Sequence, residues 1–149
     1  GAGAGAGPLR PDTDRNPVSG LHRLRIVAIL LGGSLIIGEA YRSWGAGRTP
    51  TSWLDDMLMG TLLICAAIAV ARGGWQRRAL FTGAWGVCAG MLYGSFFGKV
   101  FDPARANPGN FSLGTLTALV GVAFAVSVLG FIASLIVADA APPNDDIAG

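Results

Sequence analysis

The stretch that decides the fold, residues 79–98, reads ALFTGAWGVCAGMLYGSFFG and contains no charged residue. Twenty residues in a helix rise about 30 Å, which matches the thickness of a bilayer's hydrocarbon core. Three further runs, residues 26–38, 57–71 and 111–138, are also free of charge. Four such runs predict an all-α integral membrane protein with four transmembrane helices.

The composition of the whole chain agrees with this prediction. Hydrophobic residues make up 52% of the 149 residues and charged residues only 13%, whereas soluble domains carry about 25% charge. The net charge is only +2, and the arginines are scattered rather than gathered in a basic run. A nucleic-acid partner is therefore not expected.

The lengths of the runs set the expected spans. The first run has thirteen residues and would rise only about 20 Å, so it needs flanking residues whose charged ends reach the headgroups. We expect spans at about 24–43, 53–72, 78–99 and 111–138. The fourth is longer than a bilayer requires and is predicted to tilt, kink or protrude.

Local signals mark two helix starts. Asn16-Pro17 suits an N-cap followed by a first helical residue, so the first helix could project beyond the membrane. The sequence Asn107-Pro108-Gly109-Asn110 is a strong turn signal, and either Asn110 or Ser112 could cap the fourth helix.

The chain divides into three regions. Residues 1–20 form a predicted flexible arm outside the membrane, of which residues 1–7 are a low-complexity Gly-Ala alternation. Residues 21–138 form the transmembrane bundle. Residues 139–149 form an acidic tail that contains Pro142-Pro143.

Loop lengths and charge predict the topology. The short loops between runs favour antiparallel neighbours in an up-down bundle. With the N-terminus inside, the inner segments hold seven Lys and Arg residues and the outer loops hold four. By the positive-inside rule both termini are expected in the cytoplasm, and we expect the membrane to be a bacterial inner membrane.

Glycines form the sharpest pattern in the sequence. Four of them recur every four residues in the third run, and residues at that spacing make one slowly turning stripe on a helix. A stripe without side chains lets another helix come into backbone contact. That helix could belong to this chain or to a partner subunit. Small residues on the first and fourth runs offer similar surfaces, and the predicted interface residues are Gly86, Gly90, Gly94, Gly98, Ser34, Gly38 and Gly121.

Charged residues gather near the outer ends of the predicted spans. They are Glu39, Arg42, Asp55, Asp56 and Lys99. Acids at a helix start and an acid three residues before a base are common structural pairs. Ionisable groups inside a membrane also mark binding or proton-handling sites. The sequence leaves both interpretations open.

Basic residues cluster at the opposite, inner ends. Arg23, Arg25, Arg72, Arg77 and Arg78 are expected to contact anionic lipid headgroups there, besides setting the topology.

The sequence contains no recognisable catalytic constellation. His22 is the only histidine, and Cys65 and Cys88 lie in separate apolar runs without a C-x-x-C motif, so neither a metal site nor a redox centre is expected. No cofactor is predicted, although aromatic residues of the third run leave contact with a lipid, quinone or pigment open.

These observations favour a non-enzymatic accessory or structural subunit of a larger membrane complex. Its partners would be other integral membrane subunits and lipids. The alternative is a small oligomeric transporter or ligand-binding membrane protein with an acidic site near the outer face.

Overall fold

Four long helices make up most of the protein. The computed structural model describes residues 17–45, 47 and 50–139. Its helices are α1 (Pro17–Ser43), α2 (Pro50–Ala69), α3 (Trp75–Phe101) and α4 (Leu113–Asp139). Each is long and apolar enough to cross a membrane, and the described residues include no strand. The prediction of an all-α fold with four helices long and apolar enough to span a membrane is confirmed for the described residues.

The helix ends differ from the predicted boundaries by a few residues. Helix α1 begins at Pro17, so residues 17–20 belong to the helix and not to the predicted arm. A proline suits the first helical position because the N–H that it lacks would have no partner there. Helix α2 tightens into a 3₁₀ turn at Val70–Arg72. Residues 1–16 and 140–149, which hold the rest of the predicted arm and the tail, lie outside the described residues.

The start of α4 resolves the choice between two caps. The Ser112 hydroxyl accepts the N–H of Thr115 at 3.2 Å, so Ser112 caps the helix. Asn110 has another role, because its side-chain amide donates to the carbonyls of Tyr41 and Trp44 at the end of α1, both at 2.8 Å. The predicted turn is present, and Gly109 occupies it with a φ of +59°.

The helices pack in chain order around a common core. The closest pairs are α1 with α2 and α3 with α4, while α1 and α4 pack least closely of the neighbouring pairs. Arg25 near the start of α1 donates to the carbonyl of Ala67 near the end of α2 at 2.9 Å. Large residues of α2 and α3 fill the centre, among them the fully buried Leu63, Phe81 and Trp85.

Two glycines bring α1 and α2 into backbone contact. A Cβ added to Gly32 would lie 2.7 Å from the carbonyl oxygen of Gly60, and one added to Gly60 would lie 2.6 Å from that of Gly32. No real Cβ tolerates such distances, so only glycine fits at either position. This is the close packing through small residues that membrane helices favour, at positions outside the predicted stripe.

Glycines also join α3 to α4, but here each one receives an aromatic ring. Gly121 lies against the ring of Phe96, where an added Cβ would come within 2.8 Å. Gly130 lies against the ring of Trp85, which is fully buried and has no room to retreat. The rings fill the space that the glycines leave, and this interlocking fixes α4 on α3.

This packing predicts the effect of a single methyl group. Gly130→Ala should lower the free energy of unfolding by about 1–3 kcal/mol, because the added Cβ overlaps the Trp85 ring. The matched control is Gly90→Ala, whose Cβ meets nothing within 4 Å. The control should be neutral or slightly stabilising, since alanine is the better helix former. Unfolding of the purified chain in mixed detergent micelles measures both, and equal stability of the two variants would contradict the interlocking.

Candidate functional site

Arg42, in the last turn of α1, is the centre of the site. Its Nη1 donates to Glu39 Oε2 at 3.0 Å and lies 3.7 Å from Asp56 Oδ2 on α2. Glu39 is only 4% exposed, and its other oxygen accepts the Ser43 hydroxyl at 2.7 Å. Glu39, Arg42 and Asp56 are called the ionic cluster below. The Glu39–Arg42 pairing expected from their spacing is present.

The loop between α3 and α4, residues 102–112, supplies the remaining hydrogen-bond acceptor of the Arg42 side chain. Its Nε and Nη2 both donate to the carbonyl oxygen of Asn107, at 3.2 and 2.7 Å. The backbone carbonyl of Arg42 in turn accepts the N–H of Asn110 at 3.2 Å. One side chain therefore connects α1, α2 and the loop that leads into α4.

Gly109 allows the loop to come this close. A Cβ at this position would collide with the backbone carbonyl of Arg42, and its positive φ also favours glycine. The sequence indicated a turn here. It carried no signal that the turn closes onto the end of α1, because that contact joins residues more than sixty positions apart.

The remaining predicted polar residues take different positions. Asp56 is half-buried and contacts Glu39 directly, and the charges of Arg42 and Lys99 both act on it. Asp55 is exposed and does not line the site. Lys99 on α3 is near enough for its charge to act on Asp56. Its ammonium also donates to the hydroxyl and carbonyl oxygens of Ser95, one turn earlier in α3, at 2.6 and 3.1 Å.

A half-enclosed cavity of about 150 Å³ adjoins the ionic cluster. Helices α1 and α4 form its walls and α2 contributes only Asp56, with the cluster at one end and mainly leucine, valine and alanine elsewhere. Ser34 and Gly38, predicted as helix-packing residues, both line this cavity, and their role in packing or in a partner interface stays a prediction. The Ser34 hydroxyl is exposed and donates to Leu30 in its own helix, and an added Cβ at Gly38 would meet nothing within 4 Å.

The predicted glycine stripe divides into two parts. At Gly86 an added Cβ would lie 3.3 Å from the ring of Phe131 on α4, so this glycine serves packing within the chain. Gly90, Gly94 and Gly98 are exposed, and an added Cβ at each would meet nothing within 4 Å. Packing against the described part of the chain therefore does not account for these three, which are called the open glycine face below.

The predicted lipid-contacting arginines also differ from one another. Arg23, Arg72 and Arg77 are exposed. Arg25 donates to the carbonyl of Ala67, and Arg77 donates to the carbonyls of Arg72 and Gly73 at 3.3 and 3.0 Å. Two of the arginines thus hold carbonyls near the end of α2, and Arg78 is half-buried. Contact of the five with anionic lipid stays a prediction.

The described part of the chain offers few metal or redox groups. It contains no group of three or more His, Cys, Asp and Glu residues placed to hold a metal ion. Both cysteines are free; Cys65 is exposed, and Cys88 is buried with its Sγ 3.3 Å from the Ser127 hydroxyl.

Comparison of the chain with protein-family models, curated proteins and solved structures gave no match in any of the three.

The ionic cluster predicts a large effect for one substitution. Arg42→Met should lower the free energy of unfolding by about 3–5 kcal/mol, because it leaves two carboxyl groups without their guanidinium. Arg42→Lys should cost less, since it keeps the charge but loses the double hydrogen bond to Asn107. The measurement is again detergent unfolding of the purified chain.

The control for this prediction is Arg105→Met. Arg105 pairs with Asp102 at 3.1 Å, but its side chain is 89% exposed, and such surface pairs contribute about 0–1 kcal/mol. Equal losses for Arg42→Met and Arg105→Met would show that the cluster does not hold the bundle together.

Proposed function

We propose that this chain is a non-enzymatic accessory subunit of a larger membrane complex. It would meet a neighbouring transmembrane subunit through the open glycine face of α3. The observation that carries the proposal is that a Cβ added to Gly90, Gly94 or Gly98 would meet none of the other described residues within 4 Å.

Glycines without a contact are costly in a helix. Each one destabilises a helix by about 0.8–1 kcal/mol relative to alanine. At Gly32, Gly60 and Gly130 close contact with another helix offsets this destabilisation. At the open glycine face no contact with the described residues offsets it. A second transmembrane helix packed at backbone distance would offset the cost by van der Waals contact.

The shape beside these glycines also suits a helix. Tyr93, Phe97 and Phe101 follow one another at the same spacing, with ring centroids 4.7 and 5.8 Å apart. At 100° per residue this row lies next to the open glycine face. The glycines form a groove and the aromatic row forms a ridge beside it, and side chains of a partner helix can pack between the two.

The ionic cluster fits a structural role in such a subunit. The carboxylate of Glu39 and the guanidinium of Arg42 are hydrogen-bonded within the chain, so the cluster needs no substrate to satisfy it. Its connection of α1, α2 and the α3–α4 loop would give the partner a rigid surface.

The proposal includes the topology. Contacts such as Arg25 with Ala67 and Gly130 with Trp85 favour an up-down bundle. The excess of arginine on the side of the termini favours a cytoplasmic location for both, in a bacterial inner membrane. Exposed Arg23 and Arg72 would there face anionic headgroups.

The open glycine face gives a direct test. Gly90→Leu with Gly94→Leu should abolish co-purification of the partner from native membranes, because two leucines would hold the helices apart. The variant itself should fold, since neither position has a neighbour within 4 Å. Quantitative mass spectrometry of the affinity-purified chain measures the loss.

The matched control is Gly33→Leu with Gly114→Leu, on α1 and α4, where an added Cβ also meets nothing within 4 Å. The control should retain every companion. If both double variants retain the same companions as the natural chain, the open glycine face is not the interface.

A second candidate function is favoured by the cavity beside the ionic cluster. A small oligomeric transporter or ligand-binding protein would use Glu39 and Asp56 as its acidic site, and both line that cavity. Under this candidate Glu39→Gln should abolish transport or ligand binding. Under the first candidate it should alter stability alone, which ligand-binding and unfolding measurements on one preparation distinguish.

A further inference from the structure

The two ends of the bundle differ in how their charges are balanced. At the end that holds the ionic cluster, Arg42 and Lys99 both act on the carboxyl groups. At the opposite end the described residues include one acid, Asp139, and five arginines. These are Arg23, Arg25, Arg72, Arg77 and Arg78. None of the ion pairs among the described residues includes one of the five, so this end attracts anions from outside the described chain.

The loop between α2 and α3 holds one of these arginines in place. Gly73 and Gly74 have φ values of +71° and +94°, which favour glycine, and the N–H of Gly73 donates to the carbonyl of Val70 at 3.1 Å. The Nη1 of Arg77 donates to the carbonyls of Arg72 and Gly73 at 3.3 and 3.0 Å. The guanidinium of Arg77 is therefore fixed across the loop before any ligand binds.

This contact leaves one edge of the Arg77 guanidinium open. Its Nε and Nη2 donate to no described residue, and the residue is exposed. Two parallel N–H groups of a guanidinium match two oxygens of a phosphate, and charge strengthens both hydrogen bonds. The open edge is thus a preformed binding surface for a phosphate.

Arg72 supplies a second cation at the same place. Its carbonyl oxygen lies 3.3 Å from the Nη1 of Arg77, and the residue is exposed. A side chain that starts so close to the Arg77 guanidinium can reach the same phosphate. Neighbouring cations repel each other, and an anion between them removes that repulsion. Arg72 and Arg77 are called the arginine pair below.

The other three arginines face elsewhere. Arg25 is half-buried and donates to the carbonyl of Ala67 on α2. Arg23 lies two residues before it, so at 100° per residue it points about 200° away from the side that faces α2. Arg78 lines a narrow cleft between α1, α3 and α4. The arginine pair is therefore separate from these three.

The depth of the loop indicates the source of the phosphate. The charge-free run of α2 ends at Ala71 and that of α3 begins at Ala79, so the residues between them lie at the edge of the hydrocarbon core. Trp75, within this segment, is 72% exposed, and tryptophan is enriched at the membrane–water interface. The phosphates found at this depth are those of lipid headgroups.

We propose that the arginine pair binds the phosphate of one anionic phospholipid. The phosphate would accept from the Nε and Nη2 of Arg77 and from the guanidinium of Arg72. Zwitterionic lipids also carry a phosphate, but the surplus of arginine repels their cationic group. The inference deepens the lipid contact included in the proposed function, on which it rests, by assigning one site and one headgroup. It does not depend on the open glycine face.

The first experiment titrates lipid into the full-length chain in detergent micelles, and native mass spectrometry measures the dissociation constant of the first bound lipid. The probes are phosphatidylglycerol and phosphatidylcholine with the same acyl chains. Phosphatidylglycerol should bind roughly tenfold or more tightly. Arg72→Gln should weaken its binding about fivefold, which is the contribution of one arginine at an anionic surface. The fold should survive, because Arg72 is exposed and its carbonyl is unchanged.

The matched control is Arg23→Gln. It removes the same charge from an exposed residue at the same end of the bundle, but on the side of α1 that points away from α2. Binding of phosphatidylglycerol should change little in this control. Equal losses in Arg72→Gln and Arg23→Gln would show diffuse attraction to the whole end and would overturn the assigned site.

A second variant tests the geometry. Arg77→Lys keeps the charge but loses the two parallel N–H groups, so binding of phosphatidylglycerol should weaken several-fold. Arg23→Lys should leave it unchanged. Full binding by Arg77→Lys would contradict the role of the Arg77 edge.

Two further results would overturn the proposal. One is equal affinity for the two lipids. The other is a tenfold or larger gain in phosphatidylglycerol binding in Asp145→Asn with Asp146→Asn, which would show that the chain's own acidic residues occupy the arginine pair. A failure of the partner surface gives a different result. Gly90→Leu with Gly94→Leu should leave phosphatidylglycerol binding unchanged, and Arg72→Gln should leave the co-purifying companions unchanged.

Discussion

A largely buried guanidinium at the end of α1, that of Arg42 with its side chain 12% exposed, is the constraint on which this structure depends. A charge in an apolar bundle is costly unless oppositely charged and hydrogen-bonding groups surround it. Arg42 obtains those groups from Glu39 in its own helix, Asp56 on α2 and the Asn107 carbonyl in the α3–α4 loop. Three parts of the chain must therefore meet at one point, which fixes the ends of the helices and places the charged end of the cavity.

Glycines determine how the helices meet below that point. Gly32 and Gly60 put α1 and α2 in backbone contact, whereas Gly130 receives the ring of Trp85. These glycines bring the helices of the bundle into contact. The open glycine face makes no such contact with the described residues. Some glycines therefore lie in contacts between helices, whereas those of the open glycine face on α3 are exposed. This difference is the reason for placing the proposed partner surface on α3.

The sequence predicts much of this, and its failures have physical causes. Charge-free runs predict the four helices because length and composition alone decide whether a helix can span a bilayer. Spacing predicts the Glu39–Arg42 pair, which lies within one helix. It does not predict the role of Asn110, because that contact depends on how two distant segments meet. Nor does it separate Asp55 from Asp56. Their side chains point about 100° apart on the helix, but which of the two faces the bundle depends on how the helix packs.

The most direct test of the account is the size and composition of the native assembly. The chain would be extracted from its membrane in mild detergent, separated by blue-native electrophoresis and identified with its companions by mass spectrometry. The account predicts migration far above a few copies of a 15.2 kDa chain, with the same companions in constant proportion. Migration as one to four copies with no companion in fixed ratio would contradict it.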